Sequence, residues 1–334
     1  MHAFPVTARK ILTTLVLCAP ALTAGAQSDF VERMDGILAA RRERMAAKYD
    51  TAYIRLPEKK WTVKLRTTMQ GTDLDTKGKL EGMSYRSMLK TDISATVGAN
   101  ISYRGLTLGF SVNPAKLYGK NKDNTFAFSS YGNRMGIDLS YSSANTFRGK
   151  AEYGGENHDV GAGNVKMKLL EANAYYSFNR RRFSFPAVFT GSQEQRRSCG
   201  TWLAAMSAFA GKFTTGDGTI PGLAGSELSV LNVAVGAGYA YNFALRRKWL
   251  LHLSATPQLV VFSRARLLVD GDRQRAPFKF PAIANVGRIA AVHSFGNSFM
   301  GFYAVVNTWN MGDRDKMGTS IIKWRARLFY GIRF

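Results

Sequence analysis

The chain has 334 residues, enough for one large domain or two ordinary ones, with 46% hydrophobic residues and a slightly negative mean hydropathy. Beyond the first thirty residues no apolar run approaches the ~18–20 residues of a membrane helix, which argues against a helical membrane protein. Lys and Arg total 46 against 23 acids, a net charge of +23, and such a surplus suits nucleic acid, anionic lipid or an anionic solute.

Residues 1–26 carry the three parts of a secretory signal. Arg9 and Lys10 supply positive charge, Ile11 to Leu22 are apolar, and Ala24-Gly25-Ala26 is a small-x-small cleavage site. Export argues against a nucleic-acid partner. Leu17 before Cys18 departs from a lipoprotein signal, which wants a small residue there. Cleavage after Ala26 leaves Cys199 as one thiol with no internal disulfide. With four histidines in the whole chain, a clustered transition-metal site is not expected, nor any cofactor.

Residues 27–58 form a lead-in. Ser28 to Lys48 reads as a short helix, with Asp29 and Glu32 spaced as a capping box and Phe30, Met34, Ile37, Leu38, Arg41 and Met45 at helical spacing. It serves either as a plug or periplasmic interaction helix, or as a helix docked on a rim.

From Trp61 the period switches to two. Trp61, Val63, Leu65, Thr67 and Met69 alternate with Thr62, Lys64, Arg66, Thr68 and Gln70, and similar alternation fills 92–103, 106–113 and 231–243. Several segments reach the ~9–11 residues of a tilted membrane-crossing strand. Tight turns at 104–105, 143–145, 179–181, 245–248 and 296–297 alternate with longer loops near 72–82, 114–130, 155–164, 191–227, 263–279 and 311–316. Short turns on one side and long loops on the other are a barrel pattern.

The expected fold is all-β: a closed antiparallel transmembrane β-barrel over 59–334, of about 12 strands. These fall near 60–71, 83–103, 105–113, 131–143, 146–154, 165–178, 182–191, 228–243, 248–262, 280–295, 298–310 and 317–334. A bulge is expected near Leu169-Leu170. Within 191–227, Trp202 to Phe213 is read as a strand, an outer helix or an extension of the preceding strand.

The last strand gives the sharpest local signal. Trp324, Ala326, Leu328, Tyr330, Ile332 and Phe334 share one face, against Lys323, Arg325, Arg327, Phe329, Gly331 and Arg333. An apolar face ending in a terminal Phe resembles the closing strand that the barrel-assembly machinery of bacterial outer membranes handles. Aromatic girdles are expected from Trp61, Tyr103, Tyr141, Tyr153, Tyr176, Phe178, Tyr241, Phe243, Trp249, Tyr303 and Trp309.

Three stretches carry a family resemblance. They are Asp50-Thr51-Ala52-Tyr53-Ile54, then Ser102-Tyr103-Arg104-Gly105-Leu106 through Asn113-Pro114-Ala115-Lys116-Leu117, and Ser130-Tyr131-Gly132-Asn133-Arg134 through Asp138. Over most of the chain from about residue 50, it resembles the bacterial outer-membrane family catalogued as domain of unknown function 4421. The resemblance implies a barrel in the outer membrane of a Gram-negative bacterium, and no activity or catalytic residues.

With apolar faces on lipid, the lumen receives Lys64, Arg66, Arg104, Arg134, Arg148, Lys150, Lys323, Arg325, Arg327 and Arg333, against the acids Asp92, Asp138, Glu152 and Glu171. A cationic, partly dehydrated channel favours anions. The barrel then passes or binds a small anionic solute, or the charges pair internally and fill a closed, non-conducting lumen. An enzyme is not expected. A Ser/His pair on a lipid-facing rim could hydrolyse lipid, but His252 and Ser254 lie ~6.5–7 Å apart along a strand, and His293 and Ser294 point to opposite faces. Gln193 to Arg197, with Arg264, Arg266, Arg273, Arg275 and Lys279, are expected in outer loops against outer-membrane lipid and lipopolysaccharide. Asp270-Gly271-Asp272 reads as a turn, since the other ligands of a calcium loop are missing.

Overall fold

The computed structural model describes residues 24–80, 82–103, 106–117, 123–216, 225–269, 272–275, 281–313 and 317–334. The leader's charged and apolar parts, Arg104, and the Asp270-Gly271 half of the expected turn fall outside them. The chain divides into two units, 1–48 and 49–334. In the first, a helix spans Ala24–Ala46. It starts five residues before Asp29, so Asp29 lies inside the helix and is not its cap. No described helix is long and apolar enough to cross a membrane.

The second unit is almost entirely strand: β1 (Ile54–Arg55), β2 (Trp61–Leu80), β3 (Met83–Lys90), β4 (Ser94–Tyr103), β5 (Leu106–Val112), β6 (Asn124–Tyr131), β7 (Met135–Ala144), β8 (Arg148–Tyr153) and β9 (Glu156–Val160). There follow β10 (Val165–Ser177), β11 (Glu194–Gln195), β12 (Cys199–Thr215), β13 (Glu227–Leu245), β14 (Trp249–Val269), β15 (Asp272–Arg275), β16 (Ile283–Phe295), β17 (Ser298–Asp313) and β18 (Met317–Arg333). Sixteen of these form one sheet, in the order β6-β7-β10-β12-β13-β14-β16-β17-β18-β2-β3-β8-β9. Off that path, β4 pairs with β2 and β5, and β15 with β14. All pairings are antiparallel. Strand β2 is long enough to hold β4 along residues 61–70 and β3 along residues 73–80.

The sheet curls. β7 and β18 are seven places apart in strand order, roughly 34 Å in a flat sheet. Yet Lys323 Nζ of β18 donates to Ser140 Oγ of β7 at 2.8 Å. Arg288 of β16 likewise meets Asp138 of β7 at 3.2 Å. Alternation therefore sends one set of side chains into a common interior and the other outward. Outward residues are apolar along most strands, including Leu65, Met69, Val97, Ile101, Trp202, Leu253, Leu259 and Leu328. Among the described residues the ladder runs from β6 round to β9 and to β5, and no pairing joins β6 to β5 or β9.

Several expectations are corrected. Residues 182–191 are not a strand; they hold a short helix, Phe185–Phe189. The strand is instead β12, inside the expected loop 191–227. The loops near 72–82, 114–130, 155–164 and 263–279 contain extensions or new strands, namely the end of β2, β6, β9 and the β14–β15 hairpin. Residues 143–145 are not a hairpin turn, since β7 and β8 do not pair. β10 alternates without a break through Leu169 and Leu170. The irregularity lies at Val233/Ala234, opposite an extra residue in β14. Tyr303 and Trp309 are not girdle residues: both are buried, at 3% and 2% exposure.

Gly136 shows how tightly the interior is packed. Its inward side lies under the ring of Tyr175 on the neighbouring strand, where a Cβ would collide. That ring position lets Tyr175 donate its hydroxyl to Gly132 O at 3.0 Å. Gly136→Ala should lower stability by about 1–3 kcal/mol through overpacking. Urea unfolding would register this as a lower midpoint at unchanged slope; an unchanged midpoint would mean that the ring moves aside freely.

Candidate functional site

The interior of the second unit holds three kinds of packing. Near the end carrying Trp61 and Phe334 is an aromatic cluster, and towards the far end a second apolar cluster. Charged and hydroxyl side chains lie among and between them.

The aromatic cluster is built by the connection from β10 to β12. Ser184 caps the short helix, accepting from Ala187 N at 3.0 Å, and Pro186 sits in its first turn, where no N–H is needed. Phe183, Phe185, Val188 and Phe189 turn inward among Tyr175, Leu203, Leu250, Phe299, Tyr303 and Phe329. Ring pairs include Phe183 with Phe185 at 5.0 Å and Phe189 with Tyr303 at 5.0 Å, each worth roughly 0.5–1.5 kcal/mol beyond area burial. We call residues 183–190 the plug segment.

Polar contacts fix the segment. Asn242 Nδ2 donates to Ser184 O at 3.0 Å and to Gln195 Oε1 at 3.2 Å. A carbonyl can only accept, so Asn242 Oδ1 is left to face His252 Nδ1 at 2.7 Å. Nδ1 therefore carries the ring proton, Nε2 is bare, and the Ser254 hydroxyl donates to it at 3.1 Å. His252 and Ser254 are thus bonded, and Asn242 orients the ring. All three are buried behind Phe183, Phe185 and Phe189, away from the outward face where lipid hydrolysis would need them.

A strap completes this end. Asp50 N donates to Arg181 O, and the Asp50 carboxylate meets Arg182 at 3.0 Å. β1 pairs with β11, and Glu194 takes Arg55 and Arg333, each at 2.9 Å. Burial pushes the Tyr49 phenol up, partly offset by a hydrogen bond from Gln193. Residues 193–197 therefore pair with residues 49–55 at the Trp61–Phe334 end and are not a free loop.

The ten basic residues expected in the lumen separate. Six point inward: Lys64, Arg66, Lys323, Arg325, Arg327 and Arg333. Arg104 lies outside the described residues. Arg134 is exposed at the turn after β6, over the outward ring of Tyr176 at 5.3 Å. Arg148 and Lys150 share the outward side of β8 with Met88 of β3, because the alternate residues Ala151 and Leu89 are the buried ones. Of the four acids, Asp138 and Glu171 are inward. Asp92 pairs with exposed Arg148 at 3.4 Å, and Glu152 sits opposite Arg86, on the side away from buried Ala151.

Arg288 is the inward cation that sequence reading missed. It is buried, and its partner is Asp138, whose other oxygen accepts from Tyr131 at 2.8 Å. Its inward neighbours on β16 are Ala284, Val286, Ala290 and Val292, so no polar face announces it. Glu171 takes Lys323 at 3.0 Å and the Trp309 indole at 3.3 Å. Lys64 caps the plug helix, pointing at the carbonyls of Phe189 and Thr190, both at 3.4 Å. No group of three or more metal-ligating side chains occurs among the described residues.

Asn242→Leu should strand the Ser184 carbonyl and the His252 Nδ1–H, while Gln195 Oε1 keeps Ser184 N, and cost about 1–3 kcal/mol. Hydrogen exchange should rise first across 183–197; protection unchanged there would remove Asn242 as the anchor.

No curated protein matches the sequence. Among solved structures, the chain is similar to the outer membrane protease OmpT from Escherichia coli, at 7% identity and TM-score 0.45, over 84% of this chain and 98% of that one. It is similar to the translocator domain of the autotransporter NalP from Neisseria meningitidis, at 16% identity and TM-score 0.33, over 94% and 100%. A third is the outer membrane protein OprG from Pseudomonas aeruginosa, at 10% identity and TM-score 0.27, over 83% and 97%. At such scores none of them carries an argument about activity. One family model matches residues 48–334, which takes in the whole second unit: the chain belongs to the family described as domain of unknown function DUF4421.

Proposed function

We propose that this protein spans the bacterial outer membrane as a β-barrel and that its interior is closed, so that it acts as a structural or binding protein and not as an open pore. The observation that carries the reading is the plug segment, whose aromatic side chains fill the interior at the Trp61–Phe334 end. Towards the other end, Phe147, Phe209, Trp309 and Ile321 form a second apolar filling. An ion would have to cross both.

The membrane part of the reading rests on the outward face. Strands of 13 to 21 residues, such as β10 and β14, are long enough to cross tilted. Between their charged ends, outward Leu170 on β10 and Leu251, Leu253, Leu259 and Val261 on β14 would be an unexplained apolar surface in water and fit acyl chains. On β18 the outward set includes Leu328, Tyr330 and Ile332, followed by exposed Phe334, which suits a closing strand recognised by the barrel-assembly machinery. Exposed Arg264 and Arg266, near the far end of β14, suit lipopolysaccharide phosphates.

Two experiments test this. Leu328 is 58% exposed, so Leu328→Arg should cost within about 0.5 kcal/mol if it faces water, and about 2–4 kcal/mol if it faces the bilayer midplane. Urea titration of the protein folded in lipid vesicles separates the two. In planar bilayers the intact protein should show no steady conductance, and Phe185→Ala/Phe189→Ala should raise it. Steady conductance from the unaltered chain would end the closed-interior reading, and anion preference in that current would restore the anion-pore alternative.

A further inference from the structure

We infer that Arg66, Arg325 and Arg327 form an interior site for a small phosphate-class oxyanion. Arg325 and Arg327 are successive inward residues of β18, about 7 Å apart along the strand. Arg66 of β2 pairs with Phe329, so it is the diagonal neighbour of Arg327. All three face inward, and all three keep partial solvent contact. They lie within electrostatic reach of one another, and Lys64 lies within reach of Arg66 and Arg327.

No described carboxylate lies within ion-pair distance of the three; Arg325 feels Asp138 only across space, and Asp138 is already paired with Arg288. Arg66 and Arg325 make no hydrogen bond or ion pair among the described residues, and Arg66 Nε is buried without an acceptor. Arg327 is held by neutral groups, donating to Thr68 Oγ1 at 2.9 Å and to the Tyr303 hydroxyl. The buried acids are already engaged, Asp138 by Arg288 and Tyr131, Glu171 by Lys323 and Trp309, and Asp123 by Thr146 and Asn145 N. Three guanidinium groups left to repel one another in a confined interior are a cost that a bound anion removes. Their planar forks match the oxygens of phosphate, each able to give two parallel hydrogen bonds. Thr68 and Tyr303 preset the Arg327 fork. Gly98 lies directly opposite Arg66, where a Cβ would collide first with Phe110 O at 2.5 Å and Ser111 Cβ at 2.8 Å and also crowd Arg66 Nε at 3.1 Å.

The ligand is a free oxyanion and not a lipid headgroup, because the three residues point away from the apolar outer face. This placement rests on the enclosed interior of the proposed function, but the two can fail separately: conductance tests closure, while binding tests the site. The full chain, folded in a zwitterionic detergent, would be titrated calorimetrically with inorganic phosphate, with sulfate, and with lipopolysaccharide. Phosphate should bind and raise the melting temperature. Arg325→Gln and Arg66→Gln should each weaken binding about tenfold or more, and should melt higher than the parent when phosphate is absent. Arg86→Gln, at an exposed position, should do neither. If phosphate and sulfate do not bind, if only lipopolysaccharide binds, or if Arg325→Gln and Arg66→Gln bind as well as the parent, the site is wrong. A variant that melts lower regardless of phosphate would show that its arginine only supports the fold.

Discussion

A curled sheet has only one inside. Each strand residue must point into it or away from it, and the interior is too narrow to leave much of it unfilled. Backbone groups are spent on the ladders, so side chains alone decide what the interior contains. In this protein the outward choice is apolar along most strands, with charges such as Arg148, Lys150 and Glu152 confined to a few. The inward choice is mixed, and the mixing gives the molecule its character. Strands contribute charges and small residues, and the space left over is taken by a segment that is not a strand.

That segment explains why the charges lie where they do. Lys64 and Arg333 would be costly inside an apolar packing. The plug segment presents to Lys64 the carbonyls at the end of its helix, and Glu194 together with Gly191 O meets Arg333 at 2.9 Å each. Phe299 and Phe329 add ring faces beneath the two cations, at 4.5 Å and 5.2 Å. A cation on a barrel strand is thus converted into a tether for the connection that folds in beside it. The same economy applies to His252, whose ring is fixed by Asn242 and Ser254 and serves as a polar pin in an aromatic wall.

The fold was legible where the two faces of a strand differ. β2, β4, β13 and β18 set Leu, Val or Ile against Lys, Thr, Asn or Gly, and their placement follows from that contrast. β12 was harder, because Leu203, Ala205 and Phe209 inward oppose Trp202, Ala204 and Met206 outward, with no change in polarity across the sheet. The plug segment misled for the opposite reason. Phe183-Ser184-Phe185 alternates like a strand, although Pro186 cannot donate to a central ladder. The proline was the readable sign. Arg148 and Lys150 went wrong through register: alternation says that two residues share a face but not which face, and buried Ala151 decides it.

Arg66, Arg325 and Arg327 could be read as inward, but their lack of carboxylate partners could not, since pairing depends on which strands meet across the interior. Asp138 and Arg288 are 150 positions apart, and only the curl of the sheet brings them within 3.2 Å. Once Asp138 is committed there, Glu171 to Lys323 and Asp123 to Thr146, no carboxylate among the described residues lies within ion-pair distance of the β2–β18 arginines Arg66, Arg325 and Arg327. A filled lumen that served only to be filled would be satisfied by apolar groups of the same volume, which often match or exceed a buried ion pair in stability. Retaining three unmatched guanidiniums on adjacent strands, beside a lysine that already has a task, is a poor way to fill space. It becomes an ordinary arrangement once the missing negative charge arrives from outside the chain.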